Sequence, residues 1–271
     1  MPKVFSKGGS VKIQSMNSSL KKVLVWDWSI RVFHWLFAVS VTLALGIAML
    51  AGEHSPLFRW HMIFGLIAAF MLVLRVVLLV IGTKHVRLQS FVHAVRQLPC
   101  YIRGLSNRDD SGFAGHNPLA WIFYFGMLTL LGGVVASGVN MRSEWAEEGH
   151  SLMAWLLLVT IAAHMVGLVM HTIRYRESIA LSMMTGRKKA PDDEGIGSSR
   201  IALGVSVLTI GLLFAAQLIV GYDPAAGRVR IPWINAVVQL GETDDHEESE
   251  KHEESRHRER DHEGHRSQHH D

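Results

Sequence analysis

Apolar and polar residues along this chain sort into long blocks rather than a fine alternation. Five blocks are apolar over a length that crosses a bilayer: Ile30–Leu50, Trp60–Ile81, Pro118–Val139, Ser151–Met170 and Ile201–Val220. The hydrocarbon core is about 30 Å thick, so a helix rising about 1.5 Å per residue needs roughly 20 apolar residues to span it. Hydrocarbon offers the backbone no hydrogen-bond partner, which leaves the α-helix as the conformation that satisfies each block internally. The pattern predicts an all-α membrane protein with five transmembrane helices. Trp26, Trp28, Trp60, Trp121, Trp145 and Trp233 lie near block ends, where amphipathic indoles settle at headgroup level.

The connections add an orientation. Lys3, Lys7, Lys12, Lys21, Lys22 and Arg31 flank the start of the first block. Lys84, Arg87, Arg96, Arg103 and Arg108 lie in the connection 82–117, and Arg174, Arg176, Arg187, Lys188, Lys189 and Arg200 in 172–200. The alternate connections, 51–59 and 140–150, carry one basic residue each. Lys and Arg accumulate on the cytoplasmic side of a membrane. The expected topology is multi-pass in a bacterial inner membrane, with the N-terminus cytoplasmic and the C-terminal tail periplasmic. Met1–Lys22 is polar and lacks the apolar core of a secretory signal, and the first block is too long to be one, so it reads as an uncleaved first helix.

Charge separates the body from its tail. Residues 241–271 hold twelve acidic, five basic and seven histidine residues, which leaves the rest of the chain with a net charge of about +10. The tail has almost nothing apolar to bury and is expected to be disordered. It reads as a solvated extension, a weak metal buffer or a docking strip for a basic partner. The single cysteine, Cys100, excludes an internal disulfide, a CxxC metal site and the CxxCH attachment of a c-type haem.

Histidine is costly in hydrocarbon, so histidines within the blocks are candidate functional groups. His150 opens the fourth block and His164 follows fourteen residues later, about 21 Å of rise and nearly four turns, so both rings leave one face at two depths. His61 opens the second block at the depth of His150, and His34 lies inside the first at the depth of His164. Pairing by depth gives His61 with His150 and His34 with His164, each pair able to ligate a porphyrin iron from both sides. His171, seven residues beyond His164, competes for the same role from the membrane boundary, and His164 is preferred. His54, His85, His93 and His116 fall in connections and are read as solvated. Arg75 shares the face of His61 and should find an anion; a haem propionate would serve it, as it would serve Arg31, and lipid phosphate is the alternative for both. Gly46, Gly65, Gly132, Gly133, Gly138 and Gly167 leave room for a flat ring or for close helix packing.

Several stretches carry a resemblance: WDWSIRVFHW around His34, RWHMIFGLIAAFMLVLRVV around His61, GHNPLAWIFYFGML, EEGHSLMAWLLLVTIAAHMVG and RESIALSMMTGRKK. Together, over about Lys22–Lys189, the chain resembles the bacterial di-haem cytochrome b561 and nickel-hydrogenase cytochrome b subunits. The resemblance implies a four-helix haem-binding bundle and two non-covalent b-type haems near the two membrane faces. It places the ligands on His34, His61, His150 and His164 and implies electron exchange with quinone or a redox partner. The chain then divides into a polar segment 1–22, a cytochrome domain 23–189, a fifth helix with its flanks 190–240, and the tail 241–271.

The expected function is electron transfer between a quinone or cytoplasmic-side partner and a periplasmic protein, a c-type cytochrome or a hydrogenase. Its enzymatic form would be a quinone-linked oxidoreductase, with quinone as a further bound cofactor. The alternative from another class is a divalent-metal transporter or metal-responsive protein using the His-rich tail, since imidazole suits nickel, zinc and copper. The blocks carry no carboxylate to form a transport path. No feature suggests a nucleic-acid partner.

Overall fold

A computed structural model describes residues 21–52, 55–105, 115–140, 143–223, 226–233 and 236–239. In chain order the elements are β1 (Lys21–Leu24), α1 (Trp28–Leu50), α2 (Phe58–Ile81), α3 (Leu88–Leu105), α4 (Pro118–Val139), α5 (Glu144–Tyr175), α6 (Ile179–Thr185), β2 (Arg187–Ala190), a 3-10 turn (Asp192–Glu194), α7 (Ile201–Val220), β3 (Tyr222–Asp223), β4 (Arg228–Arg230) and β5 (Val237–Gln239). The five apolar blocks become α1, α2, α4, α5 and α7, all long and apolar enough to cross a membrane. The fold is that of a helical membrane protein, as the blocks predict. The tail 241–271, the segment 1–20 and His54 lie outside the described residues.

Capping sets where the spans begin. Asp27 accepts a hydrogen bond from the Ile30 amide at 3.0 Å and starts α1, and Asn117 does the same for Ala120 at 2.7 Å ahead of Pro118 in α4. Each such cap contributes about 1 kcal/mol. α1 with α2 and α4 with α5 form the two main helix pairs, α2 also touches α4, and α7 packs on α1 and α2. Lipid tails are as apolar as leucine, so helices in a membrane associate by close fit rather than by burial from water. Gly204 shows this for α7: a Cβ there would lie 2.7 Å from the Trp28 Cβ and 3.0 Å from its backbone carbon. Further along, the rings of Phe70 and Phe214 stack at 4.1 Å between α2 and α7.

Halfway along the bundle, Val41, Ala68, Leu131 and Leu157 form one buried apolar cluster. These come from α1, α2, α4 and α5. Val41, Ala68 and Leu157 stand seven residues, nearly two turns, from His34, His61 and His150 respectively. An apolar layer therefore lies between the two histidine depths.

Short elements cap both ends. On the basic side β1 pairs antiparallel with β2, so Lys21 and Lys22 belong to a strand rather than to a free polar segment. Gly186, with φ +77°, ends α6, and its carbonyl accepts from the amides of Val25 and Trp26. A Cβ at Gly186 would come within 2.7 Å of the Trp26 carbonyl oxygen. On the other side β3, β4 and β5 form a three-stranded sheet after α7, with Val229 buried. The connection 82–117 contains α3, an amphipathic helix that the hydropathy blocks do not reveal.

Candidate cofactor site

Two constellations occupy the ends of the bundle. At the end away from β1, His61 of α2 faces His150 of α5, with ring centroids 6.2 Å apart and planes at 83°. His61 Nδ1 lies 2.8 Å from the Ala44 carbonyl of α1. His150 Nδ1 lies 2.9 Å from the Val134 carbonyl of α4 and 3.3 Å from the Ser137 hydroxyl. Both rings therefore donate Nδ1–H to the backbone and keep Nε2 as the unprotonated nitrogen. A Cβ at Gly138 would press on His150, at 3.0 Å from Cε1. All four carbonyl and imidazole positions come from different helices, so the bundle itself sets the geometry.

At the basic end, His34 of α1 and His164 of α5 are half-buried and lie within electrostatic reach of each other. The structure sets the His61 ring against that of His150, and at the basic end His34 and His164 act on one another. His171, the competitor of His164, sits on the same helix and is also half-buried. Arg75 is 1% exposed. Its guanidinium lies 4.9 Å from the Tyr124 ring and 5.8 Å from the Phe33 ring, beside His34 in sequence. Its Nη2 reaches the Val86 carbonyl only at 3.5 Å, and Nε and Nη1 make no close hydrogen bond among the described residues, with the Tyr124 hydroxyl and the Asp27 carboxylate near enough to act on the guanidinium. Arg31 behaves differently: Nε donates to the Met183 carbonyl at 3.3 Å, Nη2 donates to that of Met184, and the group stacks on Trp28 at 4.6 Å.

Two histidines read as solvated are not. His85 is 7% exposed, and its Nε2 donates to the Glu194 carbonyl at 2.7 Å. Burial lowers its pKa, opposed by Glu194. His116 packs edge-on against Trp26 at 4.9 Å and against Trp121 at 5.0 Å, with a buried Nδ1 that has no partner. Burial, and then the nearby cations Arg75 and Lys188, push its pKa down to about 3. His34 and His164 also act on it, so it stands beside that pair. Both corrections have one cause: the connections fold over the bundle end, which hydropathy does not report. The GHNP sequence ahead of α4 was the one available signal for His116. Among the described residues, Asp27 Oδ2, Thr83 Oγ1 and the Tyr124 hydroxyl are also buried without a close hydrogen bond, and Asp27 and Tyr124 lie near enough to Arg75 to act on it, which gathers polar atoms at this end of the bundle.

Residues 25–186 match the family model described as prokaryotic cytochrome b561. That range covers more than half of the chain and contains every histidine and arginine just placed, while Glu194 lies beyond it. The chain belongs to the prokaryotic cytochrome b561 family. Membership makes it a membrane b-type cytochrome, in which haem is the electron carrier. Two curated relatives of this cytochrome are probable Ni/Fe-hydrogenase B-type cytochrome subunits. The one from Rhizobium leguminosarum bv. viciae is 26% identical, over 64% of this chain and 92% of the relative. The one from Bradyrhizobium diazoefficiens is 24% identical, over 63% and 87%. No solved structure matches this cytochrome. The family match ends before α7, so the fifth span of the cytochrome and its outer sheet lie beyond it.

Proposed function

We propose that this cytochrome b561 carries electrons across a bacterial inner membrane through two bis-histidine b-type haems, one held by His61 and His150, the other by His34 and His164. The observation that carries this reading is the outer pair. Two imidazoles on one metal, at about 2 Å per metal–nitrogen bond and about 1 Å from nitrogen to ring centre, have centroids about 6 Å apart. The rings of His61 and His150 stand at 6.2 Å. Each fixes its tautomer by a bond from Nδ1 to a carbonyl, the second-shell arrangement that orients metal-ligating histidines. Beside them, a Cβ at Gly65, one turn below His61 on nearly the same face, would meet no heavy atom within 4 Å, which suits a flat ring.

The inner pair is supported by the same helical spacing and by Arg75, a buried guanidinium whose Nε and Nη1 make no close hydrogen bond among the described residues and so suit a carboxylate such as a haem propionate. Arg31 holds α6 instead and takes no part in this reading. Held by two imidazoles, a haem at either site would supply reversible one-electron transfer rather than oxygen chemistry. The protein residues orient the imidazoles, exclude water with the Val41, Ala68, Leu131 and Leu157 layer, and hold positive charge near the inner level. The relatives' names favour a hydrogenase as the partner at the outer face, with a c-type cytochrome as the other redox protein of that class and quinone exchanging electrons at the cytoplasmic, basic side. The family match gives the metal-transport alternative no support.

The test is haem stoichiometry by pyridine haemochrome on the purified cytochrome. Two haems per chain are expected; His61→Ala and His150→Ala each leave one, with the inner spectrum unchanged, and His34→Ala leaves the outer one. Equal loss of both haems in His34→Ala and His61→Ala, with the protein folded, would refute the pairing.

A further inference from the structure

Helix α3 presents three distinct faces. Phe91, Ala94 and Tyr101 turn toward α4, with Ala94 and Tyr101 buried and the Phe91 ring 4.2 Å from Phe125. Gln89 and His93 are exposed on a polar face. Between these lies a line spaced four, three, four and three residues apart, Leu88, Val92, Val95, Pro99 and Ile102, which one side of an α-helix brings together. All five are exposed, Ile102 by 60%. Arg96 and Arg103, also exposed, each follow one residue after a member of that line and so flank it on its polar border. The helix has no acidic residue. The short connection 82–87 links its start to the end of α2 at Ile81, and its buried side packs on α4.

We propose that α3 lies in the plane of the membrane surface on the basic side, its apolar line in the acyl boundary and Arg96 and Arg103 against the phosphates of anionic phospholipid. An exposed apolar stripe bordered by arginines is the pattern of an interfacial helix. The anionic lipid of that leaflet complements the charge. Lipid, rather than a soluble protein, is the occupant because the short connection 82–87 ties the start of the helix to the end of a membrane span and its arginines complement anionic headgroups. This inference does not depend on the haem assignment.

The experiment uses the full chain, with Cys100→Ser as background, reconstituted into vesicles of phosphatidylcholine with or without phosphatidylglycerol. Val95→Cys and His93→Cys variants carry an environment-sensitive fluorophore, and circular dichroism verifies their fold. The Val95 probe should be quenched by lipid-borne nitroxide and be several-fold less open to iodide than the His93 probe. Phosphatidylglycerol should deepen that shielding, and Arg96→Gln with Arg103→Gln should abolish the deepening. Equal iodide access at both probes overturns the proposal. Shielding of Val95 from both quenchers overturns it in favour of a protein cover, and shielding indifferent to phosphatidylglycerol overturns the role of the arginines.

Discussion

Among the described residues outside its own helix, replacing Gly138 with alanine presses on His150 alone. The added Cβ would stand 3.0 Å from Cε1 and 3.1 Å from Nδ1 of the ring, where an unstrained contact is about 3.5 Å or more. The imidazole or α4 must yield by a few tenths of an ångström. The atom displaced is the Nδ1 held at 2.9 Å from the Val134 carbonyl. Overpacking of this kind costs about 1–3 kcal/mol, and about 1.4 kcal/mol is tenfold in an equilibrium constant. The outer haem should therefore lose roughly 5- to 100-fold in affinity, and the inner haem nothing. A lengthened Nδ1–H···O bond also makes the imidazole a weaker donor to iron, which favours the reduced state and raises the outer midpoint potential.

The assay is a potentiometric titration of the haem absorption bands, with haem counted per chain. One component should shift positive or diminish while the other stays in place. Ser137→Ala removes a hydroxyl 3.3 Å from the same nitrogen without adding a Cβ, and should move the same component less. Two components moving together, or neither moving, would refute both the pairing and the role given to the Val134 carbonyl.

The remaining expectations concern the inner end and α7. Arg75→Gln should lower inner haem content and leave the outer haem in place, read from the two components of the same titration. Gly204→Ala should loosen α7, because the new Cβ meets the Cβ and backbone of Trp28, and should cost about 1–3 kcal/mol in thermal stability; Gly211→Ala, which meets the flexible end of Met71, should cost less. Between the ordinary histidine pKa near 6.5 and the folded value of about 3, the unfolded chain takes up a proton at His116 that the folded chain does not. Stability should thus fall as pH is lowered through that window, by up to about 1.4 kcal/mol per pH unit for this group. His85, shifted in the same direction, adds to the slope. His116→Phe should flatten the fall in melting temperature between about pH 6.5 and pH 4.5 relative to the unmodified protein.

What could be read from the chain was what the membrane itself dictates. The five spans follow from hydropathy because hydrocarbon permits a single backbone solution. The elements that cover the bundle ends obey no such constraint. Strands β1 and β2 are four residues each, come from segments more than 160 residues apart, and consist mostly of lysine, arginine and small apolar residues. Their pairing is decided by Gly186, which bonds the chain just before α1, and that contact has no sequence period. His85 and His116 were misread for the same reason: composition marks their segments as connections, while Trp26, Trp121 and Glu194 fold against them. Helix α3 was hidden by averaging, since its polar and arginine-bearing faces cancel its apolar ones in any window long enough to find a span.

Within the spans a second regularity made the site legible as well as the fold. Seven residues are two turns less about 20°, so positions seven apart keep their direction while moving about 10 Å in depth. His150, Leu157 and His164 form such a series on α5, and His61, Ala68 and Arg75 form another on α2. On α1, His34 and Val41 give the same step. A sequence offset therefore fixes depth and facing direction together, and for an antiparallel neighbour the same arithmetic runs in reverse. Side chains that converge at one depth converge at the next, with an apolar layer between. Depth sets His61 against His150 because straight helices leave no other freedom. The choice between His164 and His171 was harder because they too are seven apart, so direction cannot separate them and only depth can.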